Sequence, residues 1–289
     1  MVGDIYSFKH NYLDLNGIKY HYIDEGQGEP IVMLHGNPTW SFYYRNLVKA
    51  FSSSYRTIVP DHIGCGYSDK PKEKDYPYTL ARRVEDLEHL LNHLNIKENI
   101  TLILHDWGGM IGTTFATRYP ERIKRLVILN TAGFHLPKGK KFPFVLKLFR
   151  SKLTGAIMAR GLNLFVLGSA YKCTVKGLKK ELRQAYVAPY DSWKNRIAIH
   201  RFVEDIPLKP GDRGYEIISE TESKLPLLKD KPMLICWGEK DFIFDNDFLK
   251  VWKEKFPAAQ LHTFPEGGHY ILEDEGDKIT TLINEFLKK

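Results

Sequence analysis

The sequence predicts an α/β fold in which helices cover both faces of a mostly parallel sheet, and three observations carry that prediction. Short runs rich in Ile, Val and Leu recur at 30–34, 55–59, 100–104 and 125–129, as expected of strands buried on both faces. Helical segments separate them, and such alternation is the mark of a layered α/β domain. With 289 residues, 43% of them hydrophobic, the chain has enough apolar surface for one large core with an insertion or for two small domains.

Taken in order, residues 12–25 alternate in polarity and turn at Asn16-Gly17, a hairpin signal that starts the sheet with antiparallel strands. Segment 79–95 reads as an amphipathic helix, with Leu80, Val84, Leu87, Leu90, Leu91 and Leu94 on one stripe and Arg82, Arg83, Glu85, Glu88 and His89 elsewhere. The run 100–104, the motif His105-Asp106-Trp107-Gly108-Gly109 and the small, apolar run 110–116 read as strand, sharp turn and helix. The rhythm stops after Asn130 and resumes at 232–237, an interval of about a hundred residues and far longer than an ordinary connection. Its content is helical and aromatic, bounded by Pro137 at one end and by Pro207 and Pro210-Gly211 at the other. The expected organisation is a core domain of 1–134 and 212–289, with a helical cap of 135–211 inserted after the sixth strand. A core helix over 212–225, a helix over 247–256, a strand over 260–264 and a helix over 277–288 complete the reading.

Composition narrows the setting. The chain carries a net charge of +7, but residues 135–183 hold twelve Lys and Arg against the single acid Glu181, so this segment is +11 and the remainder is −4. Neither stacking aromatics nor a recognition helix accompanies that charge, and no nucleic-acid partner is expected. A solvated basic face is the simple reading. Because Phe142, Phe144, Val145, Leu146, Leu148 and Phe149 interleave with the lysines, contact of the cap with an acidic membrane surface or an acidic partner is the sharper one. No apolar stretch reaches the 18 or so residues that span a bilayer, and Met1 to Tyr6 lack the basic and apolar regions of a leader. Cys65, Cys173 and Cys236 are widely spaced and odd in number, which fits reduced thiols better than a disulfide or zinc framework. The expected location is the cytoplasm. His89 and His93 lie four apart on a helix without a metalloprotease glutamate, so neither a metal nor another cofactor is expected.

Chemistry concentrates in loops that follow strands. A Gly two residues after Asp106 is the signature of a nucleophile elbow, which presents a side chain above the sheet. Taken alone, Asp106 could equally cap the helix behind it. Three further loops carry partners: His35-Gly36-Asn37-Pro38 after 30–34, Gly238-Glu239-Lys240-Asp241 after 232–237, and Gly267-Gly268-His269 after 260–264. The chain order of nucleophile, acid and histidine is that of α/β-hydrolases.

These motifs resemble the haloalkane dehalogenase family of that fold. The resemblance spans almost the whole chain, including residues 60–69. Residues 40–45, 188–193 and 241–245 look most like its third subfamily, which includes the β-lactone decarboxylases of olefin biosynthesis, and this resemblance implies contact with neighbouring pathway enzymes through the +11 cap segment. It implies an eight-stranded sheet with an inserted cap. It also implies that Asp106 is the nucleophile, that His269 is oriented by Asp241, and that Asn37 and Trp107 stabilise a leaving group or oxyanion. Donors aimed at developing charge typically contribute about 3–4 kcal/mol each. A halide would leave as Asp106 forms an alkyl ester, which His269-activated water would hydrolyse. A β-lactone would be attacked by Asp106 at its carbonyl or at the ring carbon bearing oxygen, with an alkene and carbon dioxide as products.

The leading expectation is therefore a decarboxylase of a hydrophobic, lipid-derived cis-β-lactone, and the alternative is a haloalkane dehalogenase. An epoxide hydrolase, which would use paired cap tyrosines among Tyr171, Tyr186 and Tyr190, and a non-catalytic ligand-binding protein are the remaining readings. The cap residues Phe142, Phe144, Phe149, Ile157, Met158, Leu162, Leu164, Phe165, Val166 and Leu167 are expected mostly to pack against the core, with a few lining a pocket.

Overall fold

The computed structural model describes residues 5–289; the reading of the N-terminus as lacking a leader rests largely on residues outside that range. Eight strands form one sheet: β1 Asn11–Asp14, β2 Lys19–Glu25, β3 Pro30–Leu34, β4 Arg56–Pro60, β5 Ile100–Asp106, β6 Ile123–Thr131, β7 Met233–Gly238 and β8 Gln260–Phe264. Their spatial order is β1-β2-β4-β3-β5-β6-β7-β8. β2 pairs antiparallel with β1 and β4, and the remaining pairs are parallel. The β1–β2 hairpin closes at the expected Asn16-Gly17, both at positive φ of 56° and 85°, the conformation that a two-residue turn needs to match the strand twist.

Alternation along the strands separates two cores. Val32, Leu34, Leu102 and Leu104 face one side of the sheet, whereas Ile31, Met33 and Ile103 face the other, as the two-residue period of a strand requires. Helices Leu80–His93, Trp107–Arg118, Tyr215–Lys224 and Asn246–Lys255 cover the first side through Leu87, Ile111, Ile218 and Trp252. Helices Arg45–Phe51 and Gly276–Leu287 cover the second through Val48 and Ile283. Tyr215–Lys224 is tied to the helix behind Asp106 by a 2.9 Å hydrogen bond between Thr221 and Thr114.

Between β6 and Tyr215–Lys224 the chain leaves the sheet. It forms helices Phe144–Arg150, Lys152–Gly155, Leu164–Lys172, Lys180–Val187 and Ile197–Glu204, with a π-helical stretch Ala156–Gly161 continuing the second. Among the described residues no single helix is long and apolar enough to cross a membrane.

Helix Leu80–His93 departs from its expected polar face at Arg83, which is 1% exposed. The tertiary fold supplies its partners: the Arg83 guanidinium lies 3.7 Å from the Phe202 ring centroid and donates to Asp205 Oδ2 at 3.3 Å. Asp205 Oδ2 also accepts from the Leu80 N–H at 2.6 Å, so this carboxylate joins helix Ile197–Glu204 to the start of Leu80–His93. Burial pushes the Asp205 carboxyl up to about 6, against the pull of Arg83 and the Leu80 N–H. Asp205→Ala leaves the Arg83 charge buried without its carboxylate, and removing one partner of such a pair costs about 3–5 kcal/mol. A corresponding drop in the urea midpoint of unfolding is expected.

Candidate active site

Asp106 ends β5 at φ +50°, ψ −125°, a backbone conformation that non-glycine residues adopt only where the surroundings enforce it. The turn is thus made by the nucleophile candidate itself and not by Gly108, as the motif had implied. Gly108 is required for a different reason: a Cβ there would lie 1.9 Å from the Leu34 carbonyl oxygen, so its absence lets the helix start directly over β3. The Asp106 side chain makes no helix-capping hydrogen bond, which removes the capping explanation. Oδ1 instead accepts from the Asn37 N–H at 2.6 Å, and the Trp107 N–H also faces the carboxylate. Gly36 makes room for it, since a Cβ at that residue would lie 1.9 Å from Oδ1.

His269 follows β8 and is buried. Its Nδ1–H donates to Asp241 Oδ2 at 2.8 Å, and its Nε2 lies 3.7 Å from Asp106 Oδ2, beyond hydrogen-bonding reach. Asp241 Oδ1 accepts from the N–H groups of Ile243 at 2.7 Å and Phe244 at 3.0 Å, which fixes the carboxylate behind the imidazole. The Phe244 ring stacks on His269 at 5.9 Å between centroids. Burial pulls the imidazole toward neutrality, but Asp241 and Asp106 overcome it and leave the group raised above its ordinary value. Burial raises the Asp106 carboxyl above its ordinary value although His269 and the two N–H groups oppose it.

Asn37 and Trp107 flank the same spot. The Asn37 side-chain amide donates to the Ile199 carbonyl at 3.0 Å, so one of its two protons anchors the group and the other is free for a ligand. The Trp107 ring packs against Phe202 at 5.2 Å, and the residue lines the cavity above Asp106. Of the five residues singled out, Asn37, Asp106, Trp107 and His269 line one cavity of about 440 Å³, and Asp241 sits behind His269.

Further residues set this geometry, and sequence reasoning gave them no role. His105 Nε2–H donates to the His269 carbonyl at 2.8 Å and its ring stacks on Tyr43 at 4.5 Å, so the residue before Asp106 holds the histidine loop. His35 and His62 brace the Asn37 loop: the His62 N–H donates to His35 Nε2 at 3.1 Å, and His62 Nε2–H donates to the His35 carbonyl at 3.0 Å. Burial lowers both, consistent with the neutral tautomers these bonds need. Asn130 spans β6 and β7, donating to the Gly238 carbonyl at 3.0 Å and accepting from the Gly238 N–H at 2.8 Å. It serves as a strap, leaving Asp241 as the acid beside His269.

The cavity wall is apolar, and the cap residues divide differently from expectation. Phe142, Phe149, Met158, Leu164 and Phe165 line the cavity, Val166 joins the second core, and Phe144, Ile157, Leu162 and Leu167 are exposed. Phe149 also belongs to a small buried cluster with Ala159 and Val203, against which Met158 and Phe165 pack, so core packing accounts for four of the ten. Tyr186 and Tyr190 are turned away, bonded to Glu273 and to the Thr39 carbonyl, and Tyr171 is exposed. None of the three lines the cavity, so the tyrosine pair needed for epoxide opening is not assembled.

A family model described as the alpha/beta hydrolase fold matches residues 29–276. The chain belongs to the α/β-hydrolase fold family. It is 55% identical over 288 residues to the cis-3-alkyl-4-alkyloxetan-2-one decarboxylase of Shewanella oneidensis, covering 99% of this chain and 91% of that protein. Identity to the protein of the same name from Xanthomonas campestris pv. campestris is 44% over 292 residues, covering 98% and 97%. The haloalkane dehalogenase of Mycolicibacterium paratuberculosis is more distant, at 30% over 295 residues, covering 96% and 92%. Among solved structures, the haloalkane dehalogenase DatA from Agrobacterium tumefaciens superposes with a TM-score of 0.86 at 24% identity, covering 97% of this chain and 96% of that one, a likeness of fold. The expected place in the haloalkane dehalogenase-like branch, alongside β-lactone decarboxylases, is borne out.

Proposed function

We propose that this chain decarboxylates a hydrophobic, lipid-derived cis-β-lactone to an alkene and carbon dioxide, as a step of olefin biosynthesis, with Asp106 as nucleophile and Asp106, His269 and Asp241 as its triad. The observation that carries the reading is the 55% identity, over nearly the whole chain, to a protein named for that reaction; an oxetan-2-one is a β-lactone. The apolar cavity above Asp106 supports it by offering space for alkyl chains.

The geometry also favours one of the two modes of attack. Attack at the lactone carbonyl creates an oxyanion that needs its own donors, yet the Asn37 and Trp107 N–H groups already face Asp106 itself. Attack by Oδ2 at the ring carbon bearing oxygen leaves the Asn37 N–H bond to Oδ1 in place. The Oδ2–carbon bond forms, the ring carbon–oxygen bond breaks, and its electron pair stays on the released carboxylate. Trp107 Nε1–H and the second Asn37 amide proton are suited to receive that carboxylate. The bond from the carboxylate to its neighbouring carbon then breaks, its pair forms the alkene, and the ester bond returns its pair to Asp106. No water and no net proton is consumed.

Haloalkane hydrolysis is the second reading, favoured by the same two donors, which would serve a halide equally well. Free, buried Cys65, Cys173 and Cys236 fit a reducing, cytoplasmic setting. Supplying purified protein with a cis-β-lactone and, separately, a 1-bromoalkane distinguishes the readings. Alkene from the lactone is the expected result; bromide release without alkene would overturn it.

A further inference from the structure

We propose that the exposed face of the cap is a docking surface for an anionic lipid bilayer, placed so that the mouth of the substrate cavity opens into the membrane interface. The proposal rests on the lactone reading only for what is delivered, and not for the docking itself.

The first observation is apolar exposure at helical spacing. Helix Phe144–Arg150 presents Phe144 and Leu148, the segment beginning at Lys152 presents Leu153 and Ile157, and helix Leu164–Lys172 presents Leu164, Leu167 and Tyr171. Phe144 and Leu153 are 73% and 72% exposed. Isolated apolar side chains on a surface are ordinary, but a set repeated along neighbouring helices marks an interaction site. These helices pack on one another through the π-helical stretch, which contacts each of the others, so the exposed side chains come from one packed group of helices.

The second observation is charge. Within the +11 segment, Lys140, Arg150 and Lys176 are engaged by Asp245, Asp212 and Glu275. Lys138, Lys141, Lys147, Lys152 and Lys172 remain exposed among the apolar residues. Lysine is depleted in protein–protein interfaces, whereas lysine beside Leu and Phe is the composition of a helix lying in a lipid headgroup layer. That contrast favours a bilayer over a protein partner.

The third observation is continuity with the cavity. Val145, Leu164 and Phe242 are exposed and also line it, forming an apolar rim between the surface patch and Asp106. On helix Leu164–Lys172 one side faces solvent through Leu167 and Tyr171, while Phe165 and Ser169 line the cavity. A lipid-like substrate could pass from the interface to the nucleophile without crossing bulk water. The segments Lys152–Gly161 and Leu164–Lys172 reach a spanning length only together and meet at 64°, a shape suited to lying on a bilayer and not to crossing it.

The test is co-sedimentation with large vesicles of phosphatidylcholine alone, or mixed seven to three with phosphatidylglycerol. Binding to the mixed vesicles at about 10 mM salt should exceed binding to phosphatidylcholine at least tenfold and fall as salt rises toward about 1 M, where the Debye length shrinks from about 30 to about 3 Å. Lys147→Glu/Lys152→Glu and Phe144→Glu/Leu153→Glu should each weaken it at least tenfold. The first pair reads the charge and the second the apolar contact. Lys97→Glu/Lys229→Glu, exposed residues at the opposite ends of the strands, makes the same charge change and should weaken binding less than threefold. Thermal melts establish that each variant is folded. Failure of the parent protein to sediment at low salt overturns the proposal and leaves a protein partner as the occupant; so does undiminished binding by folded cap variants. Because sedimentation uses no substrate, a failed lactone assay leaves this result standing, and the reverse also holds.

Discussion

Asp106→Ala abolishes alkene formation, with an expected loss of about 10⁴- to 10⁶-fold, the range seen when a covalent nucleophile is removed from a preorganised site. That is about 5–8 kcal/mol of transition-state stabilisation at 1.36 kcal/mol per factor of ten. The residual site still holds Asn37, Trp107 and the His269–Asp241 pair, but none of them can form the ester. Stability should move the other way. Burial raises the Asp106 carboxyl in the folded state, so the fold holds this proton more tightly than the unfolded chain does. Parent stability from this group is therefore greatest below the ordinary carboxylate value of about 4 and declines as pH rises through the raised one. The variant lacks that decline and should melt no lower than the parent at neutral pH, a trade of stability for activity common at catalytic sites. Alkene formation by a folded Asp106→Ala protein within tenfold of the parent would remove Asp106 from the chemistry.

His269→Phe divides the two proposed reactions. A bromoalkane leaves Asp106 as an alkyl ester, and hydrolysis of that ester needs a base to activate water. The variant should stop after one turnover and gain the mass of the alkyl group. A β-lactone opened at the ring carbon bearing oxygen gives an ester that collapses by losing carbon dioxide, with no water to activate. The same variant should continue to release alkene, slowed by no more than about 10²-fold, the lower end of what general acid–base catalysis contributes. Isotope labelling reads the difference in the parent protein. Turnover of bromoalkane in heavy-oxygen water places the label in the Asp106 peptide, and turnover of lactone leaves that peptide unlabelled. The pH profiles follow. Hydrolysis falls away as His269 protonates; Asp241 and Asp106 hold this imidazole above its ordinary value in the free protein, and esterification removes the Asp106 part of that effect. Decarboxylation falls away only when Asp106 protonates, above 3.8 because of burial, and that limb persists in His269→Phe. Label in Asp106 during lactone turnover would sink the water-free route.

Much of the fold is local and therefore legible in sequence. Ile31, Val32, Met33 and Leu34 are apolar on both faces because the strand lies between two helical layers, and Asn16-Gly17 turns because both residues tolerate positive φ. Candidate residues were legible for a related reason: loops at strand ends carry unusual residue types, and Asp106, Asp241 and His269 each follow an apolar run. Arg83 was not legible, since its helical position reads as polar and its burial depends on Asp205 and Phe202 from a segment more than a hundred residues away. Nor was the support given by His105 to the His269 loop.

By itself, then, the sequence determined the layered architecture, the order of Asp106, Asp241 and His269 in loops after strands, and an inserted segment rich in apolar and basic residues. Periodicity and composition are properties of neighbouring residues. Only the tertiary structure decided that Asp106 carries the strained turn, that its Oδ1 accepts from the Asn37 N–H, and which cap side chains meet the cavity, the core or solvent. Those are matters of distance between segments remote in the chain. A helical stripe reveals which residues share a face, but what that face meets is set by how separate elements pack.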